Sequence, residues 1–190
     1  RLHTQCQLME MIALVEKIRK TMRIQRSCIV NALTLEHHPL QSLADAQALR
    51  IHRPMVCHPR IVFMGDGNNV ATSLGQVSAT LGWEFIHSSP EERKIPPDRW
   101  EIIEQLAYDH GGSAQHDPRP ERAVEGATMV YTDVWASMGE KREAEERRER
   151  FRPYKVTSRL MERAGKGAVF GHCLPAESSE VDEDVLYGPQ

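Results

Sequence analysis

The segment Ile61-Val62-Phe63-Met64-Gly65-Asp66-Gly67-Asn68-Asn69 drives four consecutive apolar residues into a turn bracketed by two glycines. A short unbroken apolar run is what a strand buried on both faces requires. The glycines let the backbone turn tightly, and a helix beginning just beyond them favours an anionic group at its N-terminus. Downstream, Leu74, Val77 and Leu81 recur at helical spacing, and the pattern halts at Gly82. The run Trp83 to His87 predicts a second strand, and a proline-rich loop leads to a helix with Trp100, Ile103, Leu106 and Ala107 on one face. Further strands are expected at Thr128 to Tyr131 and Ala168 to Phe170, with helices between. Strand and helix alternate across most of residues 60–186. The expected fold is therefore α/β, a doubly wound parallel sheet with helices on both faces.

Upstream the pattern changes. Arg53-Pro54 through His58-Pro59 reads as a linker, because each proline biases its predecessor away from helix. Ahead of the linker, Pro39 can open a helix as its first residue, carrying Leu40, Leu43, Ala44 and Ala48 to about Arg50. Cys28-Ile29-Val30 is a short strand candidate. Leu8, Met11, Ile12, Val15, Ile18 and Met22 form one helical stripe.

With 190 residues, 40% of them hydrophobic, the chain has material for a packed core without disulfides or a metal. Its net charge of -3, with acids and bases interleaved, gives no nucleic-acid surface. No apolar run approaches the roughly 20 residues that span a bilayer, so no membrane partner is expected. The four cysteines, Cys6, Cys28, Cys57 and Cys173, form no CxxC pair, which suits a reducing, cytoplasmic setting.

Ligands of an open parallel sheet bind beyond the carboxyl ends of its strands, and three motifs fall there. Gly65-Asp66-Gly67-Asn68-Asn69 is half of a dinucleotide fingerprint, with Val70 in place of the third glycine and no acid closing the next strand at Ile86-His87. Its alternative is an ordinary strand-to-helix turn; the two asparagines would suit a zwitterion. Asp133-Val134-Trp135-Ala136-Ser137-Met138-Gly139 puts a carboxylate at a strand end, where it can pair with an ammonium group or cap a following helix. His172-Cys173-Leu174-Pro175 offers a thiol beside an imidazole, although neighbours on a strand point opposite ways and a buried structural cysteine is the commoner case. A fourth motif, His38-Pro39-Leu40-Gln41, sets His and Gln on one side of a helix start. The charge run Glu140 to Arg150 reads as a solvated helix face with pairs Glu143–Arg147 and Glu146–Arg150.

Taken in order, Asn31-Ala32-Leu33-Thr34, His38-Pro39-Leu40-Gln41-Ser42-Leu43-Ala44-Asp45 and the three strand-end motifs resemble those of ornithine carbamoyltransferases, and Val181-Asp182 and Tyr187 continue the likeness. The resemblance covers about residues 28–189. It implies a Rossmann-like domain binding L-ornithine over residues 55–190, preceded at 1–54 by the remnant of a second α/β domain, which binds carbamoyl phosphate. The reaction implied is carbamoyl transfer from carbamoyl phosphate to the δ-amine of L-ornithine, giving L-citrulline and phosphate, with no cofactor, no metal and no covalent enzyme intermediate. By the same likeness Asn69, Asp133, Ser137 and Met138 hold ornithine. His38, Pro39, Leu40 and Gln41, with Cys173 and Leu174, meet carbamoyl phosphate. Catalysis would rest on alignment and on donors aimed at a developing oxyanion. His172 and His38 are candidate donors, and Cys173 would orient the amine.

The family's Ser-Thr-Arg-Thr phosphate loop has no match here; Thr157-Ser158-Arg159-Leu160 is a poor likeness in the wrong place. Its final helix, bearing an arginine, would follow Tyr187. The isolated chain is accordingly expected to turn over barely above background. Family members form homotrimers through the other domain, so this chain alone is expected not to. The competing reading is a stand-alone amino-acid-binding module without turnover.

Overall fold

The computed structural model describes residues 5–22, 29–135 and 141–188. In chain order the elements are α1 (Gln5–Met22), α2 (Pro39–His52), β1 (Arg60–Met64), α3 (Asn69–Thr80), β2 (Glu84–Ser88), α4 (Pro97–His110), β3 (Ser113–His116), α5 (Pro120–Ala123), β4 (Met129–Thr132), α6 (Lys141–Phe151), α7 (Ser158–Ala164), β5 (Val169–His172) and α8 (Glu183–Leu186). All five strands pair in parallel, in the order β3-β2-β1-β4-β5. The chain lays down β1, β2 and β3 outward, then returns to the other side of β1 for β4. The switch in direction lies between β1 and β4, where adjacent loops diverge and leave a crevice.

Period-two alternation divides the core between the sheet's two faces. Ile61 and Phe63 of β1 join Phe85, Met129 and Tyr131 under Leu49 of α2, Leu74 of α3 and Ile103 of α4. Val62 and Met64 point the other way, into Trp135, Phe151, Tyr154, Leu160, Met161 and Val181. All four apolar residues of β1 have no solvent exposure, as a doubly covered central strand requires.

The α/β expectation and its central strand hold, with element ends displaced by a residue or two. Ile29 and Val30 form no strand, and Val30 is exposed. The polar edge strand β3, Ser-Ala-Gln-His, has no apolar run to announce it. α1 leaves Met11, Leu14 and Ile18 exposed. Among the described residues no helix is long and apolar enough to cross a membrane.

Candidate active site

The turn after β1 is shaped by close packing. Gly65 sits at φ +123 with the Trp135 indole against it, and a Cβ on Gly67 would lie 2.2 Å from the Ile95 nitrogen. Asn68 then caps α3, its Oδ1 accepting the N–H groups of Val70 and Ala71 at 2.9 and 3.0 Å. That leaves its amide free to donate, and Nδ2 reaches the Asp133 carboxylate at 2.7 Å.

Asp133 is 5% exposed at the end of β4. Its second oxygen accepts the Cys173 Sγ–H at 2.8 Å. Both partners are neutral. Val134 and Trp135 are not helical, so Asp133 caps no helix starting directly after it. Burial, then the hydrogen bond to Asp133, pushes the Cys173 thiol well above its ordinary range. The thiol therefore keeps its proton and is no ready nucleophile.

His172 and Cys173 hydrogen-bond to different partners and not to each other. The His172 Nδ1 accepts the Leu174 N–H at 2.8 Å, so its proton sits on Nε2, which donates to Glu180 at 3.2 Å. With both nitrogens engaged and its side chain 2% exposed, His172 offers no free donor to a reacting oxygen. The expected oxyanion donor is instead a structural ring. Leu174 itself is held at φ +50, unusual for a side chain of its size, with its side chain exposed ahead of the cis bond to Pro175.

The His38 motif opens α2 as expected, with Pro39 in its first turn. The His38 N–H donates to the Ser73 hydroxyl at 2.8 Å, while its Nδ1 is buried without a partner. Gln41 donates to Asp45 at 2.9 Å, and Leu40 is exposed. Asn69 donates to the Thr34 carbonyl at 2.8 Å, which ties the turn before α2 to the start of α3. Ser137 and Met138 lie outside the described residues.

Three carboxylates surround this crevice. Burial raises both Asp45 and Asp66 above the ordinary carboxylate range, and the nearby Asp133 pushes each the same way. The buried Tyr131 hydroxyl lies beside Asp45 and is raised first by burial and then by that carboxylate. The field is one that a cationic ligand relieves.

The α6 charge run is less solvated than its pattern implies. Arg147 turns inward, donating to the Trp135 carbonyl at 3.3 Å and lying 3.7 Å from Asp66. Arg150 pairs with Glu92 at 3.3 Å, not with Glu146. A long-range partner thus replaces the expected Glu146–Arg150 pair, while the side chain of Glu143 lies outside the described residues.

Among the described residues, ligand atoms of Asp133, His172 and Cys173 lie within 4.8 Å of one another. A metal there would need a thiolate, and a ring that gave up Glu180 or Leu174. All three groups are already engaged, the thiol on Asp133 and the ring on Glu180 and Leu174.

The sequence marks both asparagines as suited to a zwitterion, but the resemblance assigns a role to Asn69 alone, whereas it is Asn68 that touches Asp133 directly. Sequence reasoning passed over Glu180 and Arg147. Only Asn68 had a visible signal, as the residue just ahead of a predicted helix start.

Residues 58–190 match the family description "Aspartate/ornithine carbamoyltransferase, Asp/Orn binding domain". The ornithine carbamoyltransferase of Methanopyrus kandleri is 40% identical over 171 residues, 90% of this chain and 54% of that one. That of Pyrobaculum aerophilum is 45% identical over 168 residues, 85% of this chain and 53% of the relative. The chain thus spans about half the length of the curated relatives it matches. Among solved structures, the ornithine carbamoyltransferase from Pyrococcus furiosus superposes with a TM-score of 0.82 at 36% identity, over 92% of this chain and 56% of that one. The anabolic enzyme from Campylobacter jejuni gives 0.78 at 30% identity, over 90% and 57%. A family match across well over half of the residues, on a fold that superposes on these structures, decides the kinship: the chain belongs to the aspartate/ornithine carbamoyltransferase family.

Proposed function

We propose that the protein is a cytoplasmic transferase moving the carbamoyl group of carbamoyl phosphate to the δ-amine of L-ornithine, with residues 55–190 forming the amino-acid half of the site. The observation that carries this reading is Asp133: a 5% exposed carboxylate at the switch point whose contacts are a neutral amide and a neutral thiol. A buried carboxylate without a cation seeks one. The α-ammonium of an amino acid supplies it, and Asp45 and Asp66 add to the attraction.

The remaining roles are those the family likeness suggests. Asn68 aims Asp133, and Asn69, Ser137 and Met138 complete the grip on ornithine. Cys173, kept as a thiol, orients the incoming amine. His38, with an unmet ring nitrogen, and Gln41 face the carbamoyl side with Pro39, Leu40 and Leu174. The δ-nitrogen, uncharged, forms the new N–C bond and the C–O bond to phosphate breaks. The proton shed by nitrogen leaves with phosphate. Catalysis is then alignment and electrostatic support, with no step through a metal.

The test is a citrulline assay on the whole protein, with Asp133→Asn beside it. A charge-assisted bond of about 1.5–3 kcal/mol means that the variant binds ornithine about ten- to a hundredfold more weakly. Unchanged ornithine affinity would remove Asp133 from the site. Ornithine binding with no citrulline formed would favour a binding module instead.

A further inference from the structure

No motif contains Glu180, yet N–H groups from three segments converge on it. The residue is 1% exposed. Its Oε2 accepts the His172 Nε2–H at 3.2 Å and the Glu177 N–H at 2.9 Å, and its Oε1 accepts the Trp135 N–H at 3.4 Å. His172 immediately precedes Cys173, and Trp135 follows Asp133 by two residues. Trp135 is also gripped from its other side, its carbonyl by Arg147 at 3.3 Å and its indole stacked on Phe151 at 5.7 Å. The ring of His172 passes the constraint on, because its Nδ1 fixes the Leu174 N–H at 2.8 Å.

We propose that Glu180 is a positioning residue of the amino-acid pocket: it ties the turn after β4 to the turn after β5 and so keeps the Cys173 thiol on the Asp133 carboxylate. The proposal rests on the reading above only in naming the pocket. A carboxylate suits the task because it accepts several donors at once and supplies none. A glutamine at this position has one accepting oxygen, and its NH2 group must face a donor. At least one of the two turns is then released. Cys173 loses its place on Asp133, and its thiol becomes easier to ionise.

The test uses the intact protein without substrates, so a failed citrulline assay leaves it informative. In Glu180→Gln, alkylation of Cys173, followed peptide by peptide across pH, should speed up about tenfold or more, with its rise shifted to lower pH. Nitrogen NMR should show the His172 ring leaving its single Nε2–H form. Glu177→Gln, exposed on the same loop, should change neither. Hydrogen exchange in the unsubstituted protein provides the measurement that needs no variant: the Trp135, Leu174 and Glu177 amides should open together, with protection equal to within about threefold. Independent opening of these amides overturns the proposal, and so does an unchanged Cys173 pH profile in a folded Glu180→Gln.

Discussion

His87 ends β2 beneath the Gly65–Asn69 turn with no solvent exposure. Its Nε2–H donates to the Gly65 carbonyl at 3.0 Å, and its Nδ1 accepts the Ile95 N–H at 3.5 Å. Burial lowers its pKa from 6.5 to about 3; His116 and Lys94 push the same way, and only the Gly65 carbonyl opposes them. In the unfolded chain the ring takes up a proton as pH falls through 6.5, whereas in the fold it stays neutral until about 3. The unfolded state then binds more protons, so the stabilisation is complete above 6.5 and is lost progressively as pH falls toward 3. At about 1.4 kcal/mol per pH unit, acidification from about pH 7.5 to about pH 4.5 removes roughly 2.5 kcal/mol. That is a large part of a typical stability of about 5–15 kcal/mol. Asp45 and Asp66, raised by burial, act oppositely and gain stability in acid, so a variant without His87 should show a much flatter response. The assay is urea unfolding followed by the fluorescence of buried Trp83 and Trp135, at both pH values, for the parent and His87→Gln. The substitution also lowers stability at neutral pH, so the difference in acid loss is the observable. If parent and variant lose the same free energy to within about 0.5 kcal/mol, the reasoning about His87 is refuted.

Gly67→Ala puts a methyl group 2.2 Å from the Ile95 nitrogen and 2.3 Å from the Lys94 carbonyl carbon. Neither is a flexible side-chain end, so it should cost about 1–3 kcal/mol; an unchanged melting temperature would contradict this. Arg147→Gln should cost about 0.5–1 kcal/mol in urea unfolding, because its contact with Asp66 is long and only part-buried. The same experiment on exposed Glu146→Gln should stay within about 0.5 kcal/mol of the parent, and equal effects would return α6 to a purely solvated role. For Asp45 the folded pKa lies above the unfolded one, so its contribution falls as pH rises from the ordinary carboxylate range through the raised value. Asp45→Asn should remove that fall while keeping an acceptor for Gln41; an unaltered stability slope between acid and neutral pH would overturn the assignment.

The parts of the fold visible in the sequence are those where burial is uniform. Residues 61–64 are apolar without interruption because both sheet faces are covered, and such a run leaves little room for another reading. β3 was missed because an edge strand needs no such run, and its residues are polar or small. The same distinction holds at the site. Asp133 was legible from its place at a strand end, a local property. Glu180 and Arg147 act on partners 45 and 12 residues away, and no spacing rule connects them. His172 was read for what an imidazole can do, but its tautomer is set by Leu174 and Glu180, which only the three-dimensional arrangement reveals.

Two bonds described above also decide which parts of the site form one body. Asn69 holds the Thr34 carbonyl and Ser73 holds the His38 N–H, while Ala46 and Leu49 of α2 are sunk in the same cluster as β1. The N-terminal end of α2 is therefore bolted to α3 as one solid piece with the sheet. His38 and Gln41 are thereby held on one body with Asp133 and Cys173, so under the proposed function the side chains assigned to the two substrates keep a fixed spacing within this unit. Whatever approaches from across the crevice meets a jaw whose teeth are already set.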